Sequence, residues 1–405
     1  MCGVLALIYP KGCSPSSRQL ERIVNRMSHR GPDGMGVRIS GEIGFAHRRL
    51  AIIDVLDATQ PMVLPSGIKV TFNGEIYNFR ELRSTLVGCG HSFKHDSDTE
   101  VLLHAAEQWG PDCLNRLEGM FSLVVDDPIR GITWAARDRM GQKPLFAFDK
   151  RFFADIEHGF VSELKCILPE QNCNRVVSPN AVSRFLAYDF MPDSDGFFVG
   201  VQKVAPGELW IIDRDNLSKK PIRKKWYNLP FGRLDKVNKQ QAIEQLDEQL
   251  DIATQRCMVA DVPLGIFLSG GIDSSLITAY ACRHINPNSL KTFSIGFNNP
   301  AFDESIYAQN VANHLGTKHH NLTVDSSDLL NIVPSILSAQ DEPFADPSII
   351  PTAILSRFAR EEVTVALGGD GGDELFLGYP TFVAENILSY FSWVPPEVFS
   401  NLANF

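Results

Sequence analysis

The sequence predicts a two-domain α/β protein whose second half is a doubly wound parallel sheet. Three observations predict it. Leu264-Gly265-Ile266-Phe267-Leu268 reads as a buried strand, Ser269-Gly270-Gly271 as a turn, and Leu276–Ala281 as the body of a helix. The pattern recurs: Lys291–Phe297 is a short apolar strand followed by a helix at Ser305–Leu315, and Val363–Leu367 is a third strand. Two of these strands run straight into Gly-rich loops, the second being Gly368-Gly369-Asp370-Gly371-Gly372-Asp373-Glu374. Strands separated by helices argue for parallel pairing, and the ligand crevice of such a sheet lies at the carboxyl ends of its strands.

The remaining bounds are coarse. At 405 residues the chain has room for two or three domains. A net charge of −10 argues against nucleic acid or an anionic membrane as the main partner. No run reaches the ~18 apolar residues of a membrane span, and the first ten residues lack the basic start of a signal peptide. The eight cysteines contain no CxxC pair, so neither a zinc site nor a disulfide framework is suggested. A cytoplasmic protein is the expectation, with a homodimer left open.

In chain order, Cys2-Gly3-Val4 comes first. Removal of Met1 would leave Cys2 with a free α-amine able to act as base for its own thiol. Alone, the stretch would read as the start of a first strand. Three clusters change that balance. Ser28-His29-Arg30-Gly31-Pro32-Asp33-Gly34 is a charged loop after a helix with the stripe Leu20, Ile23, Val24 and Met27. Arg49 opens the apolar stretch Leu50-Ala51-Ile52-Ile53. Asn73-Gly74 sets an amide donor beside a glycine N–H at a strand end, a pair able to hold a developing oxyanion.

Over most of residues 1–165 these motifs resemble class II glutamine amidotransferases. The resemblance implies a four-layer αββα N-terminal-nucleophile sandwich. It implies Cys2 as nucleophile on the glutamine amide and Asn73 with Gly74 as oxyanion hole. Arg49, Leu50 and Ile52 would contact glutamine, Arg49 holding the α-carboxylate, which suits a guanidinium. Glu75 and Asp98 would face the α-ammonium. Asp98 also reads as the N-cap of a helix over Thr99–Trp109, a role compatible with the first, and the lesser alternative for Arg49 is a surface ion pair. Gly119–Asp126, Ala136–Leu145 and Ser162–Lys165 fit the same family as strands and turns of the sandwich.

The expected boundaries are 1–212 for this domain, 213–238 for a linker and 239–405 for the second domain. Asp213–Lys225 carries six Lys or Arg and reads as a solvated crossing, or as a phosphate patch. Lys239–Ala260 is an amphipathic helix with the stripe Ile243, Leu246, Leu250, Ala253 and Cys257, expected to form core.

The loop after Leu268 presents free N–H groups and a helix N-terminus, an anion site. It has no Lys and so is not GxxxxGK[ST]; Asp273 inside it suits a magnesium-bound phosphate. It resembles the pyrophosphate loop of ATP pyrophosphatases, and with the second Gly loop it resembles the synthetase domain of glutamine-hydrolysing asparagine synthetases. The resemblance implies ATP as substrate with Mg2+. Ser269, Gly270, Gly271, Asp273, Ser274 and Ser275 would bind pyrophosphate. Leu268, Ile295, Gly368 and Gly369 would line the adenosine side. Asp370 would be catalytic, and Asp273 and Asp373 would serve the metal. The family commonly has Ser at position 368, often Glu at 370 and often Gly at 377. Asp341, Glu342 and Asp346 fit one branch of the family, or a surface turn.

The family also continues past the second Gly loop through a Pro-Phe-Leu-Asp segment and a Lys, whereas no Lys follows Asp373 here. The 405-residue polypeptide is therefore expected to hydrolyse glutamine, to be deficient in synthesis, and to associate through Tyr390–Pro396, while a longer parent chain would make asparagine. Two rivals stay open. One is the same machinery acting on another carboxylate, in polysaccharide or secondary-metabolite synthesis. The other is a non-synthesising sensor, disfavoured by an intact nucleophile.

Overall fold

The computed structural model describes residues 1–192, 196–230 and 237–390. These fall into two compact units: Met1–Gln245 with Val259–Pro263 and Ser327–Ile354, and Leu246–Met258 with Leu264–Ser326 and Leu355 onward.

The first unit opens with β1 (Gly3–Ile8), α1 (Ser17–Asn25), β2 (Gly34–Ser40), β3 (Ile43–Arg49), β4 (Met62–Val63) and β5 (Lys69–Ile76). A helical hairpin follows, α2 (Phe79–Gly88) and α3 (Asp98–Trp109). Then come β6 (Gly119–Asp127), β7 (Ile132–Arg137), β8 (Phe146–Asp149), β9 (His158–Val161), α4 (Pro179–Tyr188), β10 (Val201–Lys203), β11 (Glu208–Asp213) and β12 (Ile222–Lys225). The strands make two antiparallel six-stranded sheets, ordered β10-β8-β9-β1-β3-β2 and β12-β11-β7-β6-β5-β4.

The layering follows from alternation. Every residue of β1 is buried, because both of its faces are covered. Leu5 and Leu7 join Leu20, Ile23 and Val24 of α1 in one core. Val4, Ala6 and Ile8 face Val124, Ala135 and Phe160 in a core between the sheets. Val70 and Phe72 of β5 pack with Leu102, Leu103 and Ala106 of α3 in a third. Helix, sheet, sheet, helix is the αββα sandwich implied by the resemblance. Each Leu, Ile or Phe sealed in these layers contributes about 1.5–3 kcal/mol relative to exposure.

Two sequence expectations are corrected here. β12 pairs with β11 from Glu208↔Lys225 to Ile211↔Ile222, so the basic run Asp213–Lys225 is a hairpin of the first unit and not a crossing between domains. β12 is an edge strand with all four residues exposed, and charge on an edge deters unwanted strand pairing. The second correction concerns α3. Its N-cap is Ser97, whose hydroxyl accepts from Glu100 N–H at 3.2 Å; Asp98 is the first helical residue and points inward.

Next come α5 (Lys239–Cys257), β13 (Leu264–Phe267), α6 (Ile272–His284), β14 (Lys291–Phe297), α7 (Ser305–Leu315) and β15 (Lys318–Val324). The chain goes on through α8 (Ser326–Ala339), α9 (Ile349–Arg360), β16 (Val365–Leu367), α10 (Gly372–Phe376) and α11 (Pro380–Ser389). The sheet of the second unit is parallel with order β15-β14-β13-β16. The chain order reverses between β13 and β16, so the crevice of this doubly wound sheet opens where those two strands end.

The stripe of α5 does not form core as expected. Ile243 is 51% and Leu246 41% exposed, and Ala253 is exposed too. The helix is held in the second unit by its carboxylates: Asp247 accepts from Tyr280 Oη–H at 2.9 Å and from Arg283, and Asp251 meets His284 Nε2 at 3.0 Å. Of the apolar segment Tyr390–Pro396, all but Tyr390 lies outside the described residues.

Candidate functional sites

In the first unit, stretches distant in sequence converge on Cys2. β1 starts immediately after it, and β3 lies alongside with Gly3 opposite Arg48. The Cys2 backbone N–H donates to Asn73 Oδ1 at 2.9 Å. Leu50 N–H points at Cys2 Sγ from 3.4 Å, and Leu50 O lies 3.6 Å from the same sulfur. Burial pushes the Cys2 thiol up, against the smaller lowering effects of the Leu50 backbone, the chain's terminal ammonium and Arg30. The thiol is therefore held protonated and needs a local base to become a nucleophile.

Asn73 is 1% exposed. With its oxygen engaged by Cys2, its amide Nδ2 is buried without a hydrogen-bond partner. Gly74 stands next to it at φ +156°, where a Cβ would lie 2.0 Å from Met120 O across β5 and β6. Only glycine fits that approach. A buried donor aimed at no protein acceptor, beside a strand N–H, has the form of an oxyanion hole.

The carboxylates expected at the glutamine α-ammonium are both buried. Asp98 accepts from Ile76 N–H at 3.0 Å, yet burial raises its pKa to about 6. Burial, then the neighbouring Asp98, holds Glu75 well above the usual carboxylate range. The Arg49 guanidinium is anchored on the carbonyls of Val55 at 2.9 Å, Ile53 at 3.2 Å and Asp54 at 2.5 Å. Its charge still acts on Glu75 and Asp98, lowering both. Ile52, half-buried, accepts through its carbonyl from Asp261 N–H at 2.9 Å.

Two residues of this site had no individual role assigned from the sequence. Arg30, 8% exposed, donates through Nε to Cys2 O at 2.8 Å and through Nη1 to Glu163 at 2.9 Å. Lys143 lies within electrostatic reach of Glu75, Arg30, Asp138 and Cys2, and burial lowers its pKa. Asp138 places it: its carboxylate accepts from the N–H groups of Phe121, Met140, Gln142 and Lys143 at 2.9–3.1 Å. Arg30 sits in a Gly-Pro-Asp-Gly loop that marks a turn, but the partners of both residues are set by tertiary contacts.

In the second unit, the loop after β13 is ordered by its own hydroxyls. Ser269 Oγ lies 3.0 Å from Ser274 Oγ and accepts from Gly271 N–H at 3.2 Å. Gly270 has φ +85°, and a Cβ there would be 2.6 Å from the backbone of Tyr307 and Ala308. Ser275 Oγ is buried without a partner. Leu268, 1% exposed, donates to Phe293 O at 2.8 Å, while Ile295 on β14 is half-buried.

The second Gly loop packs against the first. A Cβ at Gly369 would be 2.8 Å from Ser274 N, and one at Gly372 would be 2.5 Å from Asp273 Cγ. Asp273 is thus brought to the residue before Asp373. The Asp370 carboxylate folds toward Gly368, with Oδ2 2.6 Å from where a Cβ would be. A Cβ at position 368 would therefore displace this carboxylate. Leu377 adopts φ +59° at the end of α10, a left-handed position that favours Gly and gives the family's Gly there a physical reason. Asp341, Glu342 and Asp346 belong to the first unit. Asp341 accepts from Lys165 N–H at 2.7 Å, with burial raising its pKa to about 7. Glu342 pairs with Lys203 at 2.7 Å, and Asp346 accepts from Ser348 N–H. No helix among the described residues is long and apolar enough to cross a membrane.

Comparison with known proteins adds identity to this geometry. Residues 1–227 match the family model for a glutamine amidotransferase domain, and residues 245–404 match that for asparagine synthase. Asparagine synthetase [glutamine-hydrolyzing] 1 of Bacillus subtilis is 34% identical over 402 residues, covering 98% of this chain and 61% of that protein. The Zea mays asparagine synthetase [glutamine-hydrolyzing] is 32% identical, covering 94% of this chain and 61% of its own length. A Methanocaldococcus jannaschii protein provisionally named asparagine synthetase [glutamine-hydrolyzing] 2 is 33% identical, covering 94% and 76%. The chain thus spans about three fifths of the length of several of these relatives. With a Cys2–Asn73–Gly74 cluster on an αββα sandwich and paired Gly loops on a parallel sheet, the chain belongs to the glutamine-hydrolysing asparagine synthetase family.

Proposed function

We propose that this chain hydrolyses glutamine at Cys2 and carries the ATP-binding loops of an asparagine synthetase, in which ATP activates the side-chain carboxylate of aspartate for amidation to asparagine. The observation that carries the first half is Asn73: its oxygen holds the Cys2 nitrogen while its buried amide nitrogen has no protein partner. Once Met1 is removed, that nitrogen is a free amine beside the thiol, and it takes the Sγ proton as the sulfur attacks the glutamine amide carbon. Asn73 Nδ2 and Gly74 N–H receive the oxyanion. Collapse expels ammonia and leaves a thioester; water then releases glutamate and restores the thiol. Arg49 holds the α-carboxylate, with Glu75 and Asp98 as partners of the α-ammonium. Lys143 stands within electrostatic reach of Glu75, and Arg30 fixes the Cys2 carbonyl.

In the second half, the Ser269–Ser275 loop takes the ATP phosphates through N–H groups and hydroxyls, the orphaned Ser275 Oγ among them. An aspartate carboxylate oxygen attacks the α-phosphorus, pyrophosphate leaves, and ammonia then displaces AMP from the acyl phosphate. Asp273 and Asp373 suit Mg2+, which favours one or two carboxylates together with substrate phosphates. When bound, that ion neutralises charge on the departing pyrophosphate. Leu268, Ile295, Gly368 and Gly369 border the nucleotide, and Asp370 lies toward the acyl acceptor.

The test uses the whole chain with labelled glutamine, ATP, Mg2+ and a panel of acids. The expected outcome is glutamate release, and ATP–pyrophosphate exchange that is slow but stimulated by aspartate. Exchange with another acid but not aspartate would move the reading to a different acceptor; no glutamate release would overturn the role of Cys2.

A further inference from the structure

The α2–α3 hairpin carries a second cluster of ligand-type side chains. His91 follows α2, where its N–H closes the helix end on Leu86 O at 3.0 Å. His104 and Glu107 lie three residues apart on α3, on one face. His91 Nδ1 and His104 Nδ1 are 3.0 Å apart, and Glu107 Oε2 is 3.4 Å from the first and 3.5 Å from the second. Among the described residues, this is the group of three His, Cys, Asp or Glu side chains whose ligand atoms all converge within 4.8 Å.

The spacing is informative. Tetrahedral bonds of about 2.0–2.1 Å to a zinc ion put ligand atoms about 3.3–3.4 Å apart. The three separations are close to that edge. The Glu107 carboxylate stands at nearly equal range from both rings, longer than a good hydrogen bond to either. The tautomers agree. His91 Nε2 faces Gln108 Oε1 at 2.9 Å, an oxygen that only accepts, so the His91 lone pair sits on Nδ1. With no cation, His104 Nδ1–H must fill the gap by donating to it.

We propose that His91, His104 and Glu107 form a site for a divalent transition cation of the zinc class, with a fourth position open to water. On binding, the His104 proton moves from Nδ1 to Nε2, which faces Glu100 Oε1 at 4.0 Å, and the ring stays neutral. Burial, then the neighbouring His91, already favours the neutral ring of His104. Glu100 is itself held by the N–H groups of Lys94 and His95, the outer-shell carboxylate usual behind a ligating histidine. Phe93 meets His104 edge-on at 4.7 Å and fixes the ring plane. The cation would tie the loop after α2 to α3, whose first residue is Asp98. The site does not depend on the reading of Cys2 or of the ATP loops.

The experiment takes the purified full chain, stripped with chelator. Zn2+ is titrated while thermal stability is followed, and Co2+ serves as a spectroscopic probe. The expected result is one equivalent of Co2+ with tetrahedral ligand-field bands and no thiolate charge-transfer band, and a melting temperature that rises with zinc concentration. His104 is buried and its replacement risks misfolding, so the variants are His91→Gln and Glu107→Gln, each checked for native circular dichroism. Loss of an outer-shell partner alone costs about 10–100-fold in metal affinity, so loss of a ligand should weaken binding by about 100-fold or more. Undiminished binding in both folded variants, a thiolate band on the bound cobalt, or no saturable binding would each overturn the proposal.

Discussion

The pocket around Cys2 and the loop from Ser269 to Ser275 meet opposite electrostatic demands. The pocket is proposed to take a zwitterion, and it sets two carboxyl groups, two guanidinium groups and a lysine amine among buried neighbours. Its charged groups come from positions 30, 49, 75, 98 and 143. The loop is proposed to take a polyanion and relies on backbone N–H groups, three serine hydroxyls and one carboxylate within seven residues. One site is an assembly that exists only in the fold; the other is nearly complete within one turn and the start of a helix. Substitutions should therefore act differently in the two places, and separately.

The largest effect is expected at the nucleophile. Cys2→Ser should lower glutamine hydrolysis by about 10⁴-fold or more, since removing the attacking group leaves only binding and oxyanion stabilisation. Nucleotide binding, measured by titration with ATP and Mg2+, should not change. Substantial glutamate release by this variant would remove Cys2 from the mechanism. Asp273→Ala is the counterpart: aspartate-dependent pyrophosphate release should fall about 10³-fold while glutamine hydrolysis stays at its original rate. A loss under about tenfold would reduce Asp273 to a packing role against Gly372.

Next in size is Gly74→Ala. The added methyl would sit 2.0 Å from Met120 O, so β5 and β6 must part. Overpacking of this kind costs about 1–3 kcal/mol, and a displaced oxyanion donor costs about 10²–10³ in kcat. Both should appear together, as a lower melting temperature and a lower kcat; full activity would mean that the Gly74 N–H is not a donor to the substrate.

The same contrast explains what was legible. The Gly loops were readable because strand, turn and helix are adjacent in sequence, so spacing alone implies geometry. Cys2 and Asn73-Gly74 were readable as motifs, but not the hydrogen bond that orients Asn73. Lys143 stayed hidden because its position depends on four N–H groups folding around Asp138. Asp98 looked like a helix cap because Ser97 and Asp98 are both good caps; which one caps depends on where Ile76 N–H lies. The basic run before Trp226 looked like a linker because charged edge strands and linkers have the same composition.

The smallest expected effect is the most diagnostic of the pocket's electrostatics. The ordinary Asp98 pKa of 3.8 is raised to about 6 by burial. The folded protein thus holds this proton more tightly than the unfolded chain. Between about pH 4 and pH 6 the native state binds more protons, so stability falls as pH rises, and the cost is fully present above pH 6. A shift of this size corresponds to at most about 3 kcal/mol. Asp98→Asn keeps an oxygen to accept from Ile76 N–H and removes the charge. It also relieves Glu75, on which the Asp98 charge is the second raising influence after burial. The variant should therefore melt higher than the parent at pH 7.5, with the gain vanishing near pH 4. Its KM for glutamine should rise, because a partner of the α-ammonium is gone. A gain in stability that persists at pH 4 would indicate packing and not charge; no gain at pH 7.5 would mean the Arg49 and backbone interactions already offset the burial of Asp98.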